Sequence, residues 1–127
     1  MSEIAALIVD DSSVMRKIVE RALRQAGLSL SKVHEASSGI EALDVLKNTQ
    51  VDLILSDINM PMMDGLEFLR QLRAQELAPE VPVVMITTEG SEEHVKAAIV
   101  AGAQGYIRKP FTPEQVKDRV LPLLDIA

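Results

Sequence analysis

The chain has 127 residues, 47% apolar and 25% charged, with a net charge of −6 and no cysteine. That length suits one domain able to bury roughly two-thirds of its unfolded surface, and the composition excludes a disordered chain. Disulfides and thiolate metal sites are excluded, nucleic acid and anionic lipid are disfavoured as direct partners by charge, and no run is long enough for a membrane span or shaped like a secretory leader, so a cytoplasmic protein is expected.

Short apolar runs alternate five times with segments whose apolar residues recur every three or four positions, which predicts a (βα)₅ order. Leu7-Ile8-Val9 forms the first strand and runs into Asp10 and Asp11. The first helix follows, with Val14, Ile18, Ala22 and Ala26 predicted on its buried face beside Val19 and Leu23, and Gly27 as its stop. Val33 to Ala36 is the least marked strand. Ser38 and Glu41 have the spacing of a capping box ahead of Ala42, Leu43 and Leu46.

Val51 leads into Leu53-Ile54-Leu55-Ser56 and then Asp57. Met60, Met62 and Met63 read as a flexible loop, and Asp64-Gly65 as the turn before a helix striped by Leu66, Leu69 and Leu72 that stops near Gln75. Val83-Val84-Met85-Ile86 ends at Thr87. Ser91, followed by Glu92 and Glu93, is placed to cap a helix that carries Val95, Ile99 and Val100 to Gly102. Tyr106-Ile107-Arg108 ends at Lys109. Thr112-Pro113-Glu114-Gln115 then combines an N-cap, a proline at the first helical position and a capping-box Gln. Pro122 lacks an N–H and should clash with the preceding turn, so regular helix is expected to fail near Leu121. There is no internal repeat or linker, and a single domain over 1–127 without an output domain is expected.

Four of the strands thus stop at residues suited to phosphoryl groups or metal ions: Asp10 and Asp11, Asp57, Thr87, and Lys109. Consecutive strand–helix–strand units cross over right-handed and make a parallel sheet, and ligands bind outside the carboxyl ends of its strands. Acids, hydroxyl and amine would meet on that rim. Each residue alone has a plainer reading. An Asp pair is commonly a solvated loop, Asp52 and Asp64 read as loop caps, Thr87 could be an ordinary strand-end residue and Tyr106 an ordinary half-buried one. His34 and His94 lack ligand spacing and are assigned no role.

Carboxylates gathered within a few ångströms repel one another, so a cation is expected among them. An all-oxygen site of acids, the Asn59 carbonyl and waters suits Mg²⁺. Asp57 could then act as a nucleophile toward phosphorus, with Lys109 holding phosphoryl oxygens as a compact charge and Thr87 donating its hydroxyl. Such a transfer needs mainly positioning and charge neutralisation.

These residues, in this order, resemble the receiver domain of bacterial two-component response regulators. The resemblance covers essentially the whole chain and rests on LIVDDS at 7–12, LILSDINMPMMDG at 53–65, MITTE at 85–89 and AGAQGYIRKPF at 101–111. It implies a flavodoxin-like sheet in the order 2-1-3-4-5 with helices on both faces, an order the apolar pattern itself does not supply. It further implies Asp57 as phosphoacceptor, Asp10, Asp11, Asp57 and the Asn59 carbonyl around Mg²⁺, Thr87 and Tyr106 as a switch pair, Lys109 completing the site, and a cis bond before Pro110.

The similarity is nearest to the single-domain chemotaxis type. Asn59 paired with Glu89 implies fast self-dephosphorylation, whereas Ile58 and Thr88 depart from the familiar aromatic and alanine of that type. The implied activity is a switch: a sensor histidine kinase phosphorylates Asp57, and the face of helix four, strand five and helix five changes its affinity for an output protein such as the flagellar motor switch. A phosphatase partner and a monomeric state fit the same reading. A phosphorelay intermediate or a regulator of another partner is the nearest alternative. A Mg²⁺-dependent aspartyl phosphatase would require an acid where Asn59 stands, and a flavin or nucleotide module a first loop rich in Gly, Ser or Thr.

Overall fold

The computed structural model describes residues 3–58, 60, 63–88 and 92–124, apart from the side chains of Glu92 and His94. Five strands alternate with five helices: β1 (Ile4–Val9), α1 (Ser13–Gln25), β2 (Leu30–Ala36), α2 (Gly39–Asn48), β3 (Leu53–Asp57), α3 (Gly65–Ala74), β4 (Val83–Thr87), α4 (Glu92–Val100), β5 (Gly105–Arg108) and α5 (Pro113–Leu124). All strand pairs are parallel, and the order across the sheet is β2-β1-β3-β4-β5. This is the flavodoxin-like arrangement expected. Because the order reverses between β1 and β3, the carboxyl ends of these neighbours open a crevice on one rim.

Every residue of β3 and β4 is buried, as strands covered on both faces must be. Alternation divides them between two cores. Leu7, Val9, Ile54, Val83 and Met85 face α2, α3 and α4, where Phe68, Leu69 and Leu72 fill the space. Ile8, Leu53, Leu55, Val84 and Ile107 face α1 and α5, meeting Val19, Leu23, Val116 and Val120.

Helix boundaries follow local chemistry. Ser12, Ser38 and Asp64 accept the amides of Met15, Glu41 and Glu67 at the starts of α1, α2 and α3. At α5 the box is reciprocal, Gln115 N–H to Thr112 Oγ1 at 3.2 Å and Thr112 N–H to Gln115 Oε1 at 2.9 Å. At α2 it is not: Glu41 instead accepts from the hydroxyl of Ser37 at 2.7 Å. Gly27 and Gly102 have φ of 99° and 111°, the left-handed conformation that ends α1 and α4. Ser91 lies outside the described residues.

Four expectations are corrected. Val14 and Ile18 are 67% and 46% exposed, and the buried stripe of α1 is instead Val19, Ala22 and Leu23 with Ala26 just beyond. The strand around Val33 begins three residues earlier, at Leu30, because β1 pairs with it from Leu30 to Ala36, with a register shift at Ser31. Met60 is buried in the core and Met63 packs against it, so those two do not form a loose loop, while Met62 lies outside the described residues. Helix α5 runs through Pro122 to Leu124. Near a helix end, the missing N–H and the ring disturb a single turn, and Leu121, Leu123 and Leu124 hold that turn against the core.

Candidate functional site

The site forms where four adjacent strands end. Val9 is opposite Ser56, Asp57 opposite Ile86, and Thr87 opposite Arg108, so Asp10, Asp57, Thr87 and Lys109 fall along one rim. Asp57 continues the alternation of Leu53 and Leu55, and Lys109 that of Ile107, which places both toward α1 and α5. Thr87 continues the alternation of Val83 and Met85, toward α3 and α4. Tyr106 lies opposite Met85, half-buried, and packs against the same core. The acids and the amine therefore sit on one side of the sheet, and Thr87 and Tyr106 on the other.

Asp10, Asp11 and Asp57 each place a carboxylate oxygen within 4.8 Å of the others. Asp10 and Asp57 are buried and Asp11 is exposed, so the cluster opens to solvent on one side. The Lys109 ammonium lies 3.4 Å from Asp10 Oδ2 and 3.7 Å from Asp57 Oδ2, offsetting part of the repulsion. Its own backbone is fixed: Lys109 N–H donates to the Thr87 carbonyl at 2.7 Å, and the Lys109–Pro110 peptide is cis. Ser12 N–H donates to Asp10 Oδ1 at 2.9 Å, which orients that carboxylate as the chain turns into α1.

The β3–α3 connection is equally constrained. Gly65 N–H donates to the Ile58 carbonyl at 2.7 Å, and a Cβ on Gly65 would overlap the Asp57 carbonyl oxygen. Glycine is required there because the turn passes directly over the end of β3. Asn59 and Glu89 lie outside the described residues. The three close carboxylates form an all-oxygen donor set able to hold a small, hard divalent cation.

Two residues that sequence reasoning did not single out shape this site. Arg16 of α1 donates through Nε to Glu35 Oε1 at 2.9 Å and through Nη1 to the Asp10 carbonyl at 2.6 Å. The Arg16 hydrogen bond holds the Glu35 carboxyl below its ordinary range, with Lys17 adding to the effect and burial opposing it. The available signal was an arginine one helical turn past the acid pair and an acid at the end of the neighbouring strand.

A parallel five-stranded sheet whose carboxyl rim gathers three acids and a lysine defines the class. Residues 6–121 match the family model of the response regulator receiver domain, and the chain belongs to that family. It is similar to the chemotaxis protein CheY homolog of Campylobacter jejuni, with 43% identity over 93% of this chain and 90% of that protein. Similarity to the chemotaxis protein CheY1 of Helicobacter pylori is 42% over 90% of this chain and 91% of the relative. Among solved structures, the chemotaxis response regulator CheY4 of Vibrio cholerae superposes with a TM-score of 0.80 at 38% identity, covering 92% of this chain and 95% of that one. Among the described residues, no helix is long and apolar enough to cross a membrane.

Proposed function

We propose that this chain is a phosphorylation-activated switch in which Asp57 accepts a phosphoryl group from a sensor histidine kinase in the cytoplasm. The observation that carries the reading is the acid trio, closed to within 4.8 Å and faced by Lys109. Asp10, Asp11, Asp57 and, from its place in the motif, the Asn59 carbonyl would hold Mg²⁺. When bound, the ion would neutralise charge on the acids and the phosphoryl oxygens.

A carboxylate oxygen of Asp57 attacks phosphorus as the bond to the donor's imidazole nitrogen breaks; the imidazole leaves and takes up a proton from solvent. Lys109 balances the charge gained by the pocket. Thr87 offers a hydroxyl hydrogen bond to the new phosphoryl group, and Tyr106 follows its movement. Thr87 stands at the rim end of β4, next to Asp57 on β3, and Tyr106 lies on the neighbouring β5, so the pair couples occupancy of the rim to β5 and the helices beside it. The protein is a phosphoacceptor that assists its own phosphorylation and dephosphorylation, and is not a turnover enzyme.

The reading surface is the face of α4, β5 and α5. Its supporting features are exposed Ile99 on α4, at 59%, and a groove lined by Tyr106, Arg108, Gln115, Asp118 and Arg119. The chemotaxis relatives favour a flagellar motor switch as the partner, and a phosphatase would reset the signal. Asn59 and Glu89, placed by motif to orient an attacking water, would make the phosphoryl group short-lived.

The test is labelling by a phosphorylated kinase domain or by an acyl phosphate in Mg²⁺ buffer. Wild-type protein should take up phosphate and Asp57→Asn should not, with unchanged circular dichroism. Labelling that persists in Asp57→Asn would move the acceptor elsewhere.

A further inference from the structure

Every polar atom of Asp10 has a partner, and the partners come from four parts of the fold. Its N–H donates to the Ala36 carbonyl at 3.0 Å, Oδ1 accepts from Ser12 N–H, and Oδ2 lies 3.4 Å from Lys109 Nζ. The remaining atom, the main-chain carbonyl, accepts from Arg16 Nη1 at 2.6 Å, the shortest of the four bonds. Arg16 does not touch a carboxylate of the trio through this bond. It acts on the backbone that carries two of them.

The arginine is itself held. Its Nε donates to Glu35 Oε1 at 2.9 Å, and Lys17 Nζ lies 3.5 Å from the other oxygen of Glu35. Glu35 is the penultimate residue of β2, directly before Ala36, whose carbonyl takes the Asp10 amide. The end of β2 therefore grips Asp10 twice, once through the sheet and once through a side-chain bridge. A planar guanidinium can donate in two fixed directions at once; a lysine ammonium at the end of a flexible stem lacks that fork.

We propose that Arg16, held by Glu35, is a positioning residue for the metal site, locking the Asp10 carbonyl and so the turn that presents the Asp10 and Asp11 carboxylates. The proposal rests on the metal-binding reading above. Partners one shell out from metal ligands commonly set affinity by fixing ligand orientation, and their loss typically weakens binding by about 10- to 100-fold. A purely electrostatic role makes the opposite forecast, because a cation beside an acid cluster repels a second cation. Removing it would then tighten metal binding.

The experiment is calorimetric titration of the metal-free protein with Mg²⁺, paired with amide hydrogen exchange at Asp11 and Ser12 without metal. Arg16→Lys, which keeps the charge, and Glu35→Ala should each weaken Mg²⁺ binding by about tenfold and speed exchange at those amides. Glu35→Gln, which keeps an acceptor oxygen, should largely retain the wild-type affinity. Arg16→Ala combined with Glu35→Ala should bind no more weakly than Arg16→Ala alone, since the glutamate acts through the arginine. If Arg16→Ala does not fold, Arg16→Lys and Glu35→Ala decide the matter. Unchanged affinity and exchange in these two variants, or tighter binding in Arg16→Ala, overturns the proposal while leaving the metal reading intact. Failure of the wild-type protein to bind Mg²⁺ overturns both.

Discussion

Lys109 Nζ stands 3.7 Å from Asp57 Oδ2, with the two side chains only 14% and 10% exposed. Two opposite charges so far out of water interact more strongly than a surface pair, and removing one leaves the other poorly solvated. Lys109→Ala should therefore lose on two counts. Without metal the protein should be less stable to urea, because Asp10 and Asp57 lose the ammonium that lies between them. Labelling by an acyl phosphate should slow by about 100-fold, the usual cost of deleting one group that stabilises transferring charge. A variant that labels at the wild-type rate would remove Lys109 from the site.

Asp11 tests the opposite balance. It is the exposed member of the trio and adds negative charge next to two buried carboxylates. Its value lies in binding, so it should cost stability when no cation is present. Asp11→Asn is expected to unfold at a higher temperature than wild type in EDTA. In saturating Mg²⁺ the order should reverse, because ligand binding to the folded state stabilises by about 2.7 kcal/mol at a hundred times the dissociation constant. Thermal scans of both proteins, with and without the ion, provide the check.

Much of this site was legible because its chemistry sits at strand ends, where an apolar run stops abruptly at a polar residue. Leu53 to Ser56 could end only at Asp57, and Val83 to Ile86 only at Thr87, so the rim followed from parallel strands alone. The phase of α1 did not follow. Apolar side chains cover a wide arc of that helix, and periodicity marks the arc without choosing its centre. Packing against α5 and the sheet selects Val19 and Leu23 and leaves Val14 and Ile18 to solvent. Arg16 and Glu35 were invisible for a different reason. Their pairing spans 19 residues and depends on β2 lying beside β1, which no local pattern encodes.

Helix α5 carries Pro122 within its last turns, where the Asp118 carbonyl would ordinarily accept an amide proton from position 122. Proline offers none. Pro122→Ala restores that donor and removes the ring from the preceding turn, while the neighbouring Val120 stays buried. An interior proline costs about 3 kcal/mol relative to alanine, and a terminal turn should show only part of that, about 1 kcal/mol. Urea unfolding should move to higher concentration in Pro122→Ala with an unchanged slope. A lower midpoint would mean that the proline stiffens the end of the chain more than it strains the helix.

Two adjacent residues on β2 should make acid destabilisation proceed in stages. Burial and then the Lys32 charge push the His34 imidazole below its ordinary 6.5, while the Arg16 hydrogen bond chiefly holds Glu35 below its ordinary 4.5. In both cases the unfolded chain takes up its proton at a higher pH than the folded one, so stability falls as pH falls. The His34 contribution is complete above 6.5 and begins to fade below it. That of Glu35 is complete above 4.5 and fades only at lower pH. Urea midpoints measured from about pH 8 down to about pH 3 should show one decline starting near neutrality and a second at lower pH. His34→Gln should flatten the first segment and leave the second, whereas Glu35→Gln should do the reverse. A His34→Gln profile parallel to wild type between about pH 7 and about pH 5 would show that the imidazole titrates alike in both states.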